Sequence, residues 1–188
     1  MFTIRKYRKV DALSVGVLIA NTYSEFNLAD KPPEERVKLL GPFQYARSSK
    51  PMYRKAIAQV LRAPIILVAE DNSEIIGVLR GGRKDKQRIV LQSLFVKKSH
   101  HRQGVGRKLV AHFERACLRQ GASMIRLAAT LYAVPFYMAL GYRRSTGARA
   151  GTSFQGTGLE YQPMRKILHR MREGKTHDIQ SRNRPSHR

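Results

Sequence analysis

The run His101-Arg102-Gln103-Gly104-Val105-Gly106 sets two glycines two residues apart, just ahead of a stretch with helical periodicity. Glycine lets a backbone turn tightly and lets a ligand approach it closely. The first turn of a helix leaves N–H groups without intrahelical acceptors, and the helix dipole makes that end positive. A pyrophosphate is the natural ligand of such a turn, and Lys97, Lys98, Arg102, Arg107 and Lys108 surround this one with cations. On the glycines alone, an ordinary helix start beside a solvated basic face is an equal reading. Two nucleotide patterns are excluded: three spaced glycines within a strand–helix–strand unit are missing, and so is GxxxxGK[ST].

Other reactive side chains are few. Cys117, the single cysteine, shares the apolar side of the same helix with Phe113, so it reads as core. One cysteine allows neither a disulfide framework nor a cysteine-based metal site within the chain, which suits a reducing, cytoplasmic setting. His100 and His101 are adjacent, but no further His, Cys or acid adds metal-ligand spacing, and no metal site is expected. Phosphate contact or plain surface remains open for them.

The elements that must position these residues follow from periodicity and punctuation. Residues 2–8 alternate loosely and predict a first strand. Asp11 can cap a helix running to about Phe26, with Val10 as a hydrophobic staple. Pro32-Pro33-Glu34-Glu35 opens a second short helix ending near Gly41-Pro42, and 52–61 is compatible with a third. The apolar runs 65–69 and 74–80, joined by Asp71-Asn72-Ser73, predict a hairpin, followed by a turn over 81–86. Residues 88–96 are apolar on both faces and predict a central strand. A helix over 104–120 stops at Gly121, and a strand over 124–129 follows. Pro135 opens a short helix stopped by Gly141. Tyr142 begins an extended segment, 144–158 reads as a Gly/Ser/Thr-rich loop, and 159–168 as a last strand. From 169 onward hydrophobicity collapses into a basic tail, expected to be disordered.

About 30 residues after the glycine turn comes Tyr132-Ala133-Val134-Pro135-Phe136-Tyr137-Met138-Ala139-Leu140-Gly141-Tyr142. Together, in this order and on these elements, the two runs resemble the GNAT superfamily of acyl-CoA-dependent N-acetyltransferases. Its patterns are R/Q-x-x-G-x-G/A after the fourth strand, then A-x-x-F/L-Y-x-x-x-G-F/Y. The first pattern's leading Arg or Gln is His101 here, a departure that Arg102 could offset. The resemblance covers about residues 2–168 and implies an N-acetyltransferase domain over 1–168 ahead of the tail. It implies an α/β (α+β) fold with a mixed, mostly antiparallel sheet of six to seven strands, flanked by helices and splayed between strands 4 and 5.

The resemblance also implies a chemistry. Acetyl-CoA would lie in the splay, its pantetheine pairing with Leu94, Phe95 and Val96 like an added strand. Its pyrophosphate would rest on the turn formed by His101, Arg102, Gln103, Gly104, Val105, Gly106 and Arg107, with Phe136 packed beside it. An amine would attack the thioester directly in a ternary complex. Tyr137 matches the family's general acid, which gives a proton to the leaving thiolate. A backbone N–H on the fourth strand would stabilise the oxyanion. The family often places a Glu on or near that strand, where this chain has Gln92 and Ser93. Glu70 and Glu160 are candidates for the base, each reading more readily as a solvated strand-end charge or a partner for an Arg, and proton loss through a water chain is equally open. The aromatic residues Tyr23, Phe26, Phe43, Tyr45 and Tyr53 fall in the connection that covers the family's acceptor site, and either line it or pack the core.

Charge adds a second line. Thirty-six Lys+Arg against thirteen Asp+Glu give a net +23 over 188 residues, which argues for an anionic partner. The acceptor is expected to be a small-molecule or protein amine, and positive potential favours one that carries carboxylates or phosphates. A nucleic-acid or ribosome contact through the basic surface is the alternative use of the charge, and the missing obvious base keeps open a third reading, an acyl-CoA-binding protein with weak catalysis. No membrane segment is visible, since the run 12–20 is far too short to span a bilayer. The chain is expected to act as a monomer or homodimer.

Overall fold

The computed structural model describes residues 1–83, 88–151 and 159–168; the tail expected beyond 169 lies outside the described residues. The elements are β1 (Thr3–Lys6), α1 (Ala12–Phe26), α2 (Pro33–Leu40), α3 (Pro51–Val60), β2 (Ile65–Asp71) and β3 (Glu74–Arg83). They continue as β4 (Ile89–Val96), α4 (Val105–Arg119), β5 (Met124–Thr130), α5 (Val134–Ala139), β6 (Arg143–Arg144), β7 (Arg149–Gly151) and β8 (Leu159–Ile167).

All strands join one sheet in the order β1-β2-β3-β4-β5-β8-β6, with β7 also on β8. Every pairing is antiparallel except β4 with β5. The sheet is therefore mixed and mostly antiparallel, as expected. Its last edge is split into β6 and β7, so the strands number eight among the described residues, and the segment read as a loop over 144–158 contains β7. Residues 152–158 of that segment lie outside the described residues.

Two hydrophobic cores lie on opposite faces. One packs α4 through Val105, Leu109, Phe113 and Cys117 onto Ile76, Leu91, Ile125 and Leu127. The other packs α1 through Val15, Leu18 and Ile19, with Ile57 of α3, onto Val68, Val78 and Phe95. Helices α1 to α3 thus cover β2 to β4, and leave that face of β5, β8 and β6 exposed at Arg126, Arg165 and Arg143.

Two local readings are corrected. The turn expected over 81–86 begins too early, because Gly81 and Gly82 still belong to β3. A Cβ on Gly81 would lie 2.4 Å from the Val90 carbonyl oxygen, and one on Gly82 would lie 2.7 Å from the Pro64 side chain. The glycines serve close approach within the sheet rather than a turn. Asp11 does not cap α1 with its side chain. Its carboxylate instead accepts from the Arg8 N–H at 2.7 Å and from both terminal nitrogens of Arg5 at 2.7 and 3.1 Å. Arg5 also binds Glu70, tying β1, β2 and the entry to α1 together.

Candidate functional site

Strand β4 carries the feature that opens the sheet. Arg80 pairs with Ser93 but Gly81 pairs with Leu91, so Gln92 is an extra residue, a β-bulge. The bulge inverts the alternation of side chains. Ile89 and Leu91 face the α4 core, whereas beyond the bulge Phe95 faces the α1 core and Leu94 and Val96 turn to the α4 side. Pairing with β5 stops at Leu91 and Leu127, although β4 runs on to Val96 and β5 to Thr130. A V-shaped gap follows.

The Lys97 N–H donates to the Ile76 carbonyl at 2.8 Å, which fixes the ladder phase between β3 and β4. Phe95 therefore pairs its backbone groups with Val78, while the N–H and C=O of Leu94 and Val96 point into the gap. An extended ligand could hydrogen-bond there as a further strand.

The opposite wall is the start of α4. Its first intrahelical bond runs from the Lys108 N–H to the Gly104 carbonyl at 2.9 Å, so the amides of Val105, Gly106 and Arg107 precede the ladder. Gly104 has φ +81° and Arg102 φ +60°, and these left-handed residues turn the chain so that the amides face outward. Nothing lies within 4 Å of where a Gly104 Cβ would be, so the approach is open. A Gly106 Cβ would come 3.2 Å from Phe136, the ring that forms the floor.

These walls enclose a cleft of about 630 Å³. Eleven of the twelve site residues expected from the sequence line it: Leu94, Phe95, Val96, His101, Arg102, Gly104, Val105, Gly106, Arg107, Phe136 and Tyr137. The side chain of the twelfth, Gln103, turns back to donate to the Ser99 carbonyl at 2.8 Å. The cleft also takes in Thr22, His100, Tyr132, Ala133 and Pro135, which the sequence reading did not assign. Tyr132 was within reach, since it heads the second run.

His101 does not stand free for a phosphate. Its Nε2 lies 2.8 Å from the Val96 carbonyl oxygen, and its ring stacks on Phe26 at 5.1 Å between centroids. Phe26 stacks in turn on Tyr132 at 5.9 Å. The last residue of α1 thus joins the two lips of the cleft. Tyr137 is buried against Phe136 and Tyr142, with ring centroids at 5.0 and 5.6 Å. Burial, with a smaller effect from Tyr132, pushes its phenol above the ordinary tyrosine value, so it holds its proton.

The cations divide. Arg102 and Arg107 line the cleft, whereas Lys97 pairs with Glu74, Lys98 pairs with Glu25, and Lys108 sits over the Phe2 ring at 4.4 Å. Among the described residues, none that lines the cleft is a carboxylate. Glu70 is engaged by Arg5, and Glu160 is exposed on β8. A second hollow of about 750 Å³ adjoins the cleft at Thr22, between α1, the β2–β3 turn and the loop after β4, and it holds Asn21, Glu25 and Lys98. Among the aromatic residues of the first connection, Tyr23 and Phe43 are core, Tyr45 stacks on Tyr53 at 4.1 Å, and Phe26 joins the cleft stack. Cys117 is fully buried, and burial followed by the charge of Glu114 pushes its thiol up to about 12. Among the described residues no group of three or more His, Cys, Asp and Glu could hold a metal, and no helix is long and apolar enough to cross a membrane.

The gap, the amide-lined helix start and the glycine that keeps the approach open fit a ligand with an extended amide arm and a pyrophosphate. A family model described as an acetyltransferase (GNAT) domain matches residues 29–168. The PaiA N-acetyltransferase of Thermoplasma acidophilum, solved with coenzyme A, is similar in fold: TM-score 0.68, 17% identity, 89% of this chain and 99% of that one. YncA of Salmonella typhimurium, solved with acetyl-CoA, gives 0.61 at 18% identity, covering 94% and 99%. The ribosomal-protein-S18-alanine N-acetyltransferase of Escherichia coli gives 0.62 at 15% identity, covering 93% and 99%.

Proposed function

The chain belongs to the GNAT acetyltransferase family, and from that premise we propose that it is an N-acetyltransferase, carrying an acetyl group from acetyl-CoA to an amine. The observation that carries the reading is the unpaired inner edge of β4, at Leu94 and Val96, facing the amides of α4 across a cleft that contains Tyr137. The transferase domain spans 1–168.

Leu94 and Val96 would hold the pantetheine arm by backbone hydrogen bonds. The amides from Arg102 to Arg107, with the Arg102 and Arg107 side chains, would hold the pyrophosphate. Phe136 would pack beside it. When bound, acetyl-CoA supplies an activated acyl group and a thiol leaving group. The chain's own contribution is then positional and protonic. The Leu94 N–H, aimed into the gap, is a fixed donor for negative charge on a carbonyl oxygen. Tyr137, kept protonated by burial, is a donor and not a base.

The acceptor amine would enter from the hollow that meets the cleft at Thr22. A lysine-like amine is protonated at neutral pH, with a pKa of about 10.4, and must lose a proton before attack. Glu25 in that hollow is paired with Lys98, and within this reading the proton leaves through water. The acceptor is a small-molecule or protein amine, and the positive surroundings favour one bearing its own anionic groups.

Calorimetric titration with acetyl-CoA, and with CoA lacking its 3′-phosphate, tests the cofactor. One-site binding, weaker without the 3′-phosphate, supports it; absence of binding overturns it. Release of free thiol in an amine screen then separates an acetyltransferase from an acyl-CoA-binding protein with weak catalysis.

A further inference from the structure

On the face of the sheet that α1 to α3 leave uncovered, Arg126 of β5 pairs directly with Arg165 of β8, which pairs directly with Arg143 of β6. Directly opposed residues share a face, so three arginines stand in one row across three strands, and all three are exposed. The row spans two inter-strand spacings, about 10 Å. Like charges set directly opposite one another destabilise a sheet. No ion pair among the described residues takes any of the three. Three carboxylates of the sheet and its flanks are used elsewhere: Glu114 holds Lys166 on the opposite face, and Glu70 and Asp11 hold Arg5, while Glu160, exposed on β8, alternates to the other face from Tyr161 and Arg165.

A second row lies four residues along β8, about 13 Å away. There Tyr161 pairs with Thr130 on one side and Arg149 on the other. By the alternation of β8, Tyr161 and Arg165 are on the same face. Between the rows Ala128 pairs with Pro163, which leaves a low floor without charge.

We propose that this face binds a single-stranded nucleic acid, with phosphates on Arg126, Arg165 and Arg143 and a base stacked on Tyr161. The excess of positive charge disfavours a second copy of this chain as the occupant. Clustered cations alone can also attract anionic lipid, but cations in line beside an aromatic ring are the arrangement that suits a threaded strand. Arginine reads the phosphates without regard to sequence, so little base preference is expected. The proposal stands independently of acetyl transfer, because none of these residues lines the cofactor cleft.

The test is fluorescence anisotropy of the full chain with labelled 15-residue oligo-uridine and oligo-deoxythymidine (lengths of about this size suit one binding site). The variant Arg126→Gln/Arg143→Gln/Arg165→Gln is compared with Arg54→Gln/Lys55→Gln/Arg62→Gln, an equal charge change on and just after α3. The sheet variant is expected to bind at least tenfold more weakly than the α3 variant, with the slope of log affinity against log salt reduced by about 2. Tyr161→Ala is expected to lose about fivefold or more. The tighter of the two oligonucleotides names the source of the strand. Equal losses in the two triple variants would overturn the proposal. So would tighter binding of phosphatidylserine vesicles or of a DNA duplex through the same arginines. Acetyl-CoA titration of each variant checks its fold, and the single change Arg165→Gln serves if a triple variant does not fold.

Discussion

The Nε2 of His101 sits 2.8 Å from the carbonyl oxygen of Val96, on the side of β4 that faces the gap. A ligand that pairs with this strand needs that carbonyl, so the imidazole and the ligand compete for it. His101→Ala is therefore expected to tighten acetyl-CoA binding, by roughly 2–10-fold, the worth of one neutral hydrogen bond. A phosphate-binding role for His101 gives the opposite sign. Calorimetric affinities of the two proteins decide.

Tyr137→Phe removes one oxygen from a buried ring that keeps its packing against Phe136 and Tyr142. General-acid contributions are about 10²–10⁴-fold. We expect kcat to fall at least tenfold while acetyl-CoA affinity changes less than twofold. Unchanged turnover would remove Tyr137 from the mechanism.

The same phenol bears on the pH profile expected of the proposed transfer. Its pKa is raised by burial, so it stays protonated at and above the ordinary tyrosine value. The rate is expected to rise with pH as the acceptor amine deprotonates, with no falling limb below about pH 10. A descending limb centred near pH 8 in initial rates would contradict this.

Stability responds to alkali for a related reason. The phenols of Tyr7, Tyr137 and Tyr142 are all raised, in each case chiefly by burial. Above about pH 10 the unfolded chain loses those protons while the folded chain keeps them. The folded state then binds more protons, so stability, complete below that pH, falls as pH climbs toward the raised values. Melting temperature is expected to be level from about pH 8 to 9 and to decline beyond 10.

Asp11 sets the acid side. Burial alone would raise its pKa, but bonds from Arg5 and the Arg8 N–H outweigh burial and hold it below the ordinary value. Its contribution is complete above about pH 4 and is lost as pH falls through the depressed value. Asp11→Asn is expected to cost about 2–3 kcal/mol at neutral pH, with a shallower acid transition in urea denaturation.

The two runs that mark the cleft were legible because each is local. Gly104 and Gly106 act through their own backbone, and Phe136 and Tyr137 sit on the short helix that follows. Contacts assembled from distant segments left no such mark. Phe26 reaches the cleft from the end of α1, and nothing around it in the chain distinguishes it from Tyr23, which packs the core. The five cations near the glycine turn look alike in sequence, yet Lys97 and Lys98 are taken by Glu74 and Glu25. The apolar residues on both faces of β4 predicted a central strand, and β4 is central. Part of that pattern comes from the bulge at Gln92, which moves side chains from one core to the other and cannot be read from composition. Gly81-Gly82 was read as a turn because glycine marks turns and close packing alike.

The open edge of β4 has a further consequence. The fold leaves the donors and acceptors of Leu94 and Val96 facing a gap, so a ligand that pairs there completes the sheet and binds only the folded chain. If that ligand is the proposed acetyl-CoA, mass action would make the protein's persistence depend on cofactor supply. At about a hundred times the dissociation constant, free ligand adds about 2.7 kcal/mol to the folding free energy. With that cofactor scarce, the margin would disappear, and the chain would become more exposed to proteolysis without any change in its sequence.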